Sequence, residues 1–350
     1  MTPEEAQGQF RPEVTYLNTP TAGLPPDGAI EAIEAAHRSW RAGTMNPVLF
    51  DDDIAQARAA FASLAGVPPE QVAIGSQVSV FAGLIAASLP PGSEVLTATG
   101  DFTSILYPFL VQEARGVVVR EVPLDSIACA VRPQTSLVAV SAVQSSSGQV
   151  ADLDALARAC AATGTRSLID TSQATGWLPI DGSRFSYTAC GAYKWLLSPR
   201  GTAFFTIQPE LMDELVPHTS GWYASHLPWE GIYGTPLRLA GDARRFDLSP
   251  AWFGWAGAAP AIELLADVGT PALHAHAVGL ANAFRAEMGQ EPGDSAIVSL
   301  SAEDGERTAA ALRQAQVVAS VRAGRLRLGF HLANTPADVL RAAEVLKSLA

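Results

Sequence analysis

Residues 167–201 read SLIDTSQATGWLPIDGSRFSYTACGAYKWLLSPRG. The stretch opens on an apolar run that ends in an acid, Asp170, and from Phe185 to Pro199 its only charge is Lys194, set between Tyr193 and Trp195. Desolvation disfavours an ammonium, so a lysine enclosed by such neighbours has a lowered pKa and becomes a usable amine nucleophile or base. The plainer alternative is a lysine that lays its stem on the aromatics and keeps its head in water. Asp170 closes a buried strand, and a carboxylate there needs water, a helix N-terminus or a cation as partner.

On both sides the chain alternates short apolar runs with helical patterns. QVAIG (71–75), EVLTA (94–98), GVVVREV (116–122), SLVAVSAV (136–143), RSLID (166–170) and GTAFFTI (201–207) have strand length and strand composition. DIAQARAAFASLAG (53–66), VSVFAGLIAASL (78–89), DLDALARACAATG (152–164) and PELMDELV (209–216) read as helices, the first and third closed by Gly66 and Gly164. Strand and helix taking turns predict an α/β fold with a mostly parallel sheet covered on both faces. Beyond about Pro271 a smaller unit follows: a long Ala-rich helix, AIVSL, the helix EDGERTAAALRQAQ, LRLGF, and a last helix that starts at Thr335 and Pro336. The expected organisation is an extended, Pro/Gly-rich segment over 1–28, a large domain over 29–265 and a small α+β domain over 266–350.

The 350 residues carry a net charge of −12, with 48% apolar and 17% charged residues, a composition that packs a core and repels nucleic acid and anionic membranes. Cys129, Cys160 and Cys190 are an odd set without CxxC spacing, and the six histidines include no HExxH, so neither a disulfide framework nor a metal site is expected. MTPEEAQGQF has no apolar signal core, and cytoplasmic residence is the expectation.

Three strand ends combine into one chemistry. IGSQVS joins a strand to a helix and offers the amides of Ser76, Gln77 and Val78 to a phosphate; taken alone it is also an ordinary N-cap. Asp170 and Gln173 leave a second strand end, and Lys194 follows a third position. Phosphate amides, an acid for a cationic ring nitrogen and a neutral amine for an aldehyde are what pyridoxal 5'-phosphate requires. A nicotinamide fold would want GxGxxG after its first strand, and none stands there.

With those motifs the chain resembles the class V branch of fold-type I pyridoxal-phosphate enzymes, which includes cysteine desulfurases, kynureninases, epimerase-like proteins and cysteine-sulfoxide lyases. The likeness runs from YLNTPTAG to LANTPADV. It implies a seven-stranded sheet sandwiched by helices, a small C-terminal domain, and a homodimer with shared active sites. It also implies that Lys194 binds the cofactor aldehyde, that Tyr193 contacts the phosphate, and that Asp170 and Gln173 meet the ring nitrogen and ring hydroxyl. GDFTSILYPF resembles the family's ring-stacking segment, which implies Phe102 over the ring where desulfurases carry a histidine. SAVQSSSGQVAD and GWYASH resemble kynureninase segments, which implies Gln144 and Trp222 near an amino-acid substrate. RLRLGFHLANTPADV resembles the family's small-domain ending, which implies that Arg327 meets the substrate carboxylate, with Arg322 and Arg325 near enough in sequence for a register error.

No cysteine follows Cys190, so the persulfide route of desulfurases, which needs a loop cysteine before that arginine, is not expected. With histidine replaced at Phe102, Lys194 remains as proton carrier. The expected reaction is carbon–sulfur β-elimination on a cysteine S-conjugate. Transamination, epimerisation, hydrolytic cleavage of the kynureninase type and decarboxylating oxidative deamination stay open within the class, and a non-catalytic relative stands outside it.

Overall fold

The computed structural model describes residues 1–302, 304–322 and 324–349. Glu303, the first residue of the expected helix EDGERTAAALRQAQ, Ala323, between it and LRLGF, and Ala350, the last of the expected final helix, lie outside the described residues. The chain opens with a short helix, α1 (Pro3–Gln7), closed at its start by a reciprocal Thr2–Glu5 capping box, so the first segment is not wholly extended. A two-residue strand, β1 (Thr15–Tyr16), precedes helices α2 (Asp27–Arg41) and α3 (Phe50–Ala65). The large sheet is then built from β2 (Val72–Gly75), β3 (Glu94–Ala98), β4 (Val118–Val122), β5 (Thr135–Ser141), β6 (Arg166–Asp170), β7 (Tyr187–Gly191) and β8 (Ala203–Ile207). Between them run α4 (Val78–Ser88), α5 (Thr103–Leu110) and α6 (Leu153–Thr163).

The strand order is β2-β8-β7-β6-β5-β3-β4. Only β8 runs against its neighbours, pairing antiparallel with both β2 and β7. Successive residues of each strand enter opposite layers, as the two-residue period demands. Ala73, Ala189 and Phe205 pack with α4 and α5, whereas Ile74, Cys190 and Phe204 pack with α3 and with α7 (Trp252–Val268). Stacked rings fix both contacts: Phe61 on Phe204 with centroids 4.1 Å apart, and Phe81 on Phe205 at 4.9 Å. Each such pair adds roughly 0.5–1.5 kcal/mol beyond its buried area. Trp255 of α7 meets Phe204 edge-on at 5.3 Å, so the aromatic stretch around it serves helix packing.

Two elements depart from the sequence reading. YTACG forms β7, a strand that the apolar runs did not mark, because Thr, Ala, Cys and Gly are small and only its burial on both faces holds it in the sheet. PELMDELV makes one turn, Pro209–Leu211, and no longer helix. Asp213 turns out to Arg245 at 2.6 Å and Glu214 pairs with Arg166, while acids at the end of so short a helix would oppose its dipole.

The C-terminal part follows α7 with α8 (Thr270–Glu287), β9 (Ile297–Ser301), α9 (Gly305–Gln314), β10 (Val317–Val318), β11 (Ser320–Arg322), β12 (Arg325–Gly329) and α10 (Pro336–Lys347). β11, β12 and β9 form an antiparallel sheet over Phe284, Phe330 and Val339. β1 pairs with β10, which ties the N-terminal segment to this unit. No helix among the described residues is long and apolar enough to cross a membrane.

Candidate active site

The carboxyl ends of neighbouring strands are where an open α/β sheet leaves a crevice. Here Ser141 of β5 pairs with Asp170 of β6, and Asp170 with Ala189 of β7. β7 then runs into a tight turn that carries Tyr193 and Lys194. Leu197 N–H closes on the Lys194 carbonyl at 3.2 Å and Ser198 N–H on that of Ala192 at 3.1 Å. Leu197 sits at φ 55°, a left-handed conformation costly for a branched side chain, held by burial in the core.

Two connected lobes open around this turn. Phe102, Tyr193, Lys194 and Arg200 line both. The inner lobe, about 290 Å³, adds Ser76, Gln77 and Val78 at the start of α4, Ser104 at the start of α5, and Asp170. The outer lobe, about 480 Å³, adds Thr21, Ser145, Arg322 and Arg327.

Lys194 is buried, its Nζ 5.2 Å from the Phe102 ring centroid and 5.5 Å from that of Tyr193. Burial pushes its pKa below the usual lysine range, and the attraction of Asp170 only partly offsets this. Asp170 is buried too, and burial raises its pKa, against a Ser172 N–H that donates to Oδ1 at 2.9 Å. Phe102 is positioned by a residue that sequence reading missed. Asp101 accepts from Phe102 N–H at 2.7 Å, and from the Ser141 hydroxyl at 2.5 Å and N–H at 2.8 Å, pinning the start of α5 to the end of β5.

Arg327, 3% exposed, reaches across from the C-terminal sheet. Its Nη1 donates to the Ser145 hydroxyl at 3.0 Å and to the Ser145 carbonyl, and its Nη2 to Thr21 Oγ1 at 2.9 Å, while Nε is buried without a partner. No carboxylate pairs with it among the described residues, and burial, with Arg322 nearby, lowers its pKa to about 10. A buried guanidinium left with neutral partners is a receptor for an anion. Arg325 turns instead to Ser299, donating to its hydroxyl at 2.7 Å and carbonyl at 2.9 Å, so the register places Arg327 inside.

Three expected residues are placed differently. Gln173 lines neither lobe: its amide donates to the Pro20 carbonyl at 2.9 Å and Ser145 Oγ at 3.2 Å, and accepts from Trp195 Nε1 at 2.7 Å. Both of its N–H groups are thus committed to the walls. Gln144 is buried behind the cleft, and Ser145, one residue on, reaches the outer lobe, where its hydroxyl joins Gln173 to Arg327. Trp222 packs on Trp229 at 4.8 Å and donates to Ser249, beside a separate depression. Arg200, which sequence reading also passed over, lies with its guanidinium 5.2 Å over the Tyr193 ring. The signal for it was present: a basic residue just past the lysine turn, in SPRG.

The inner lobe fits pyridoxal phosphate. Helix-start amides, a buried carboxylate, an aromatic ring and a buried amine whose pKa burial lowers line it together. A mostly parallel sheet with this lysine and acid at its carboxyl edge defines a fold-type I pyridoxal-phosphate enzyme.

The chain belongs to the class-V aminotransferase family, whose model, "Aminotransferase class-V", matches residues 31–317. Its cofactor is accordingly pyridoxal 5'-phosphate, and it acts on amino acids. The uncharacterized aminotransferase YcbU of Bacillus subtilis (strain 168) is 29% identical over 82% of this chain and 81% of its own. Isopenicillin N epimerase of Streptomyces clavuligerus is 28% identical over 83% and 79%. Among solved structures, the cystine C-S lyase C-DES superposes with a TM-score of 0.85 over 95% of this chain and 97% of its own, at 22% identity, a likeness of fold.

Proposed function

We propose that the protein cleaves the carbon–sulfur bond of cysteine S-conjugates by β-elimination. The observation that carries this reading is that neither lobe is lined by a cysteine or a histidine among the described residues: Lys194 is the one amine, and Tyr193, which also lines both, lies under the Arg200 guanidinium. Cys190 lies behind the sheet end, its thiol pushed up to about 12 by burial, which makes it no nucleophile. A thiolate leaves without a proton donor, whereas removal of a carbon or oxygen leaving group calls for one.

When bound, the cofactor supplies an electron sink for the pair left as the Cα proton departs. Arg327 takes the substrate carboxylate in its fork, replacing the weaker hold on Ser145 and Thr21. Phe102 lines both lobes, 43% exposed, and would be covered by the cofactor ring it faces. Asp170 would hold a proton at the ring nitrogen, and Arg200 with the α4 amides would hold the phosphate, since all of them line the inner lobe. Lys194 removes the Cα proton. The Cα–H pair becomes the Cα=Cβ bond, the Cβ–S bond breaks with its pair on sulfur, and water converts the released aminoacrylate to pyruvate and ammonia.

The test is to incubate the holoenzyme with S-alkyl cysteines and assay thiol, pyruvate and ammonia. Equal amounts of the three are expected. Amino transfer to a 2-oxo acid, or inversion at Cα without pyruvate, would overturn the reading.

A further inference from the structure

The outer lobe holds more positive charge than this reaction uses. Arg200, Arg322 and Arg327 line it together with Lys194, against one carboxylate, Asp101. Asp101 accepts from Phe102 and Ser141 and forms no ion pair with any of the arginines among the described residues. On the reading above, which this inference deepens, Arg200 serves the phosphate and Arg327 the α-carboxylate. Arg322 is left over.

Its place is specific. Arg322 ends β11 and pairs across the ladder with Arg325, while Arg327 pairs with Ser320. Arg327 is buried and Arg322 exposed, and both line the same cavity. The two guanidinium groups are near enough that Arg322 disfavours the charge on Arg327. Neighbouring cations without an acid between them repel, and an anion bound to both relieves the repulsion. One α-carboxylate is satisfied by one fork. A second cation further out meets whatever the substrate carries beyond its sulfur, and 480 Å³ leaves room for it.

We infer that Arg322 selects cysteine S-conjugates whose sulfur substituent bears a carboxylate. The class of reaction that supplies such a substrate is addition of the cysteine thiol to an unsaturated acid.

The test compares S-(2-carboxyethyl)-L-cysteine with its neutral isostere S-(2-carbamoylethyl)-L-cysteine, and L-glutamate with L-glutamine. Binding to the holoenzyme is read as the change in cofactor absorbance, so the result does not depend on elimination following. The acidic member of each pair is expected to bind about tenfold more tightly, an advantage that shrinks with added salt. Arg322→Gln should abolish the advantage while leaving the affinity of the neutral members unchanged, and Arg322→Lys should keep part of it. Equal affinities in the wild type, a preference that survives Arg322→Gln, or no absorbance change with any of the four would overturn the inference. Preference without pyruvate would instead sink the β-elimination reading and leave the role of Arg322 intact.

Discussion

Lys194 is held toward neutrality by what surrounds it rather than by a partner. Burial favours the uncharged amine in the folded protein, while the unfolded chain keeps the ordinary value of 10.5. Below 10.5 the unfolded state therefore binds the proton more readily, and the lysine subtracts from the stability of the cofactor-free protein at neutral pH. Lys194→Met should accordingly raise the melting temperature of the cofactor-free enzyme at pH 7, by an amount equivalent to roughly 1–4 kcal/mol, the range for replacing buried charge with apolar bulk. Because the penalty fades as pH climbs toward 10.5, the gap between variant and wild type should narrow on that side. Thermal melts at pH 7 and pH 10 check both statements; a variant that melts lower than wild type at pH 7 contradicts them. At this scale the sequence was readable where burial speaks through composition. The lone charge among aromatics identified Lys194, and the acid at the end of an apolar run identified Asp170. Gln144 was taken for its neighbour Ser145 because a loop's register does not show in residue type.

The elements hold the lysine turn by close backbone contact. Gly23, in the segment after β1, donates its N–H to the Tyr193 carbonyl at 2.9 Å, and a Cβ built on it would stand 2.1 Å from the Lys194 carbonyl oxygen. No side chain fits there without moving the turn. Gly23→Ala should thus displace Lys194, weaken pyridoxal phosphate binding at least about tenfold and cost about 1–3 kcal/mol of stability, the usual penalty of overpacking. Absorbance titration of the cofactor-free variant reads the first effect and denaturant unfolding the second; unchanged cofactor affinity would refute the argument. The TAG of YLNTPTAG carried no such meaning in the sequence, since a glycine in a Pro-rich stretch looks like any turn. β7 was missed for a related reason: small residues qualify as a strand only once neighbours on both sides bury them. PELMDELV failed the other way, its helical pattern overruled by two acids with partners in opposite directions.

At the scale of the molecule, the C-terminal unit is joined to the cofactor-binding sheet through His331. This histidine, 2% exposed, donates from Nε2 to the Trp195 carbonyl at 2.8 Å, one residue past the lysine, and packs on the Trp195 ring at 5.1 Å. Burial lowers its pKa from 6.5 to about 4. The neutral ring belongs to the folded state, so stability present above pH 6.5 is lost as pH falls toward 4, by about 3 kcal/mol in all. His331→Gln retains an amide donor and removes the titration. Its unfolding free energy should fall less between pH 6.5 and 4 than that of the wild type, and parallel curves would exclude His331 as the cause. The same joint brings Arg327 to the cleft, helped by Thr21 from the N-terminal segment.

Local composition alone determined the alternation of strands and helices, the buried lysine and acid, and through them the cofactor, because burial preference and two-residue periodicity are written residue by residue. Only the tertiary structure decided that Arg327 is the C-terminal arginine buried in the cleft, that Ser145 rather than Gln144 lines it, and that Trp222 stands apart. Those outcomes depend on register between strands far apart in the chain, and register is fixed by packing among elements that no local pattern encodes.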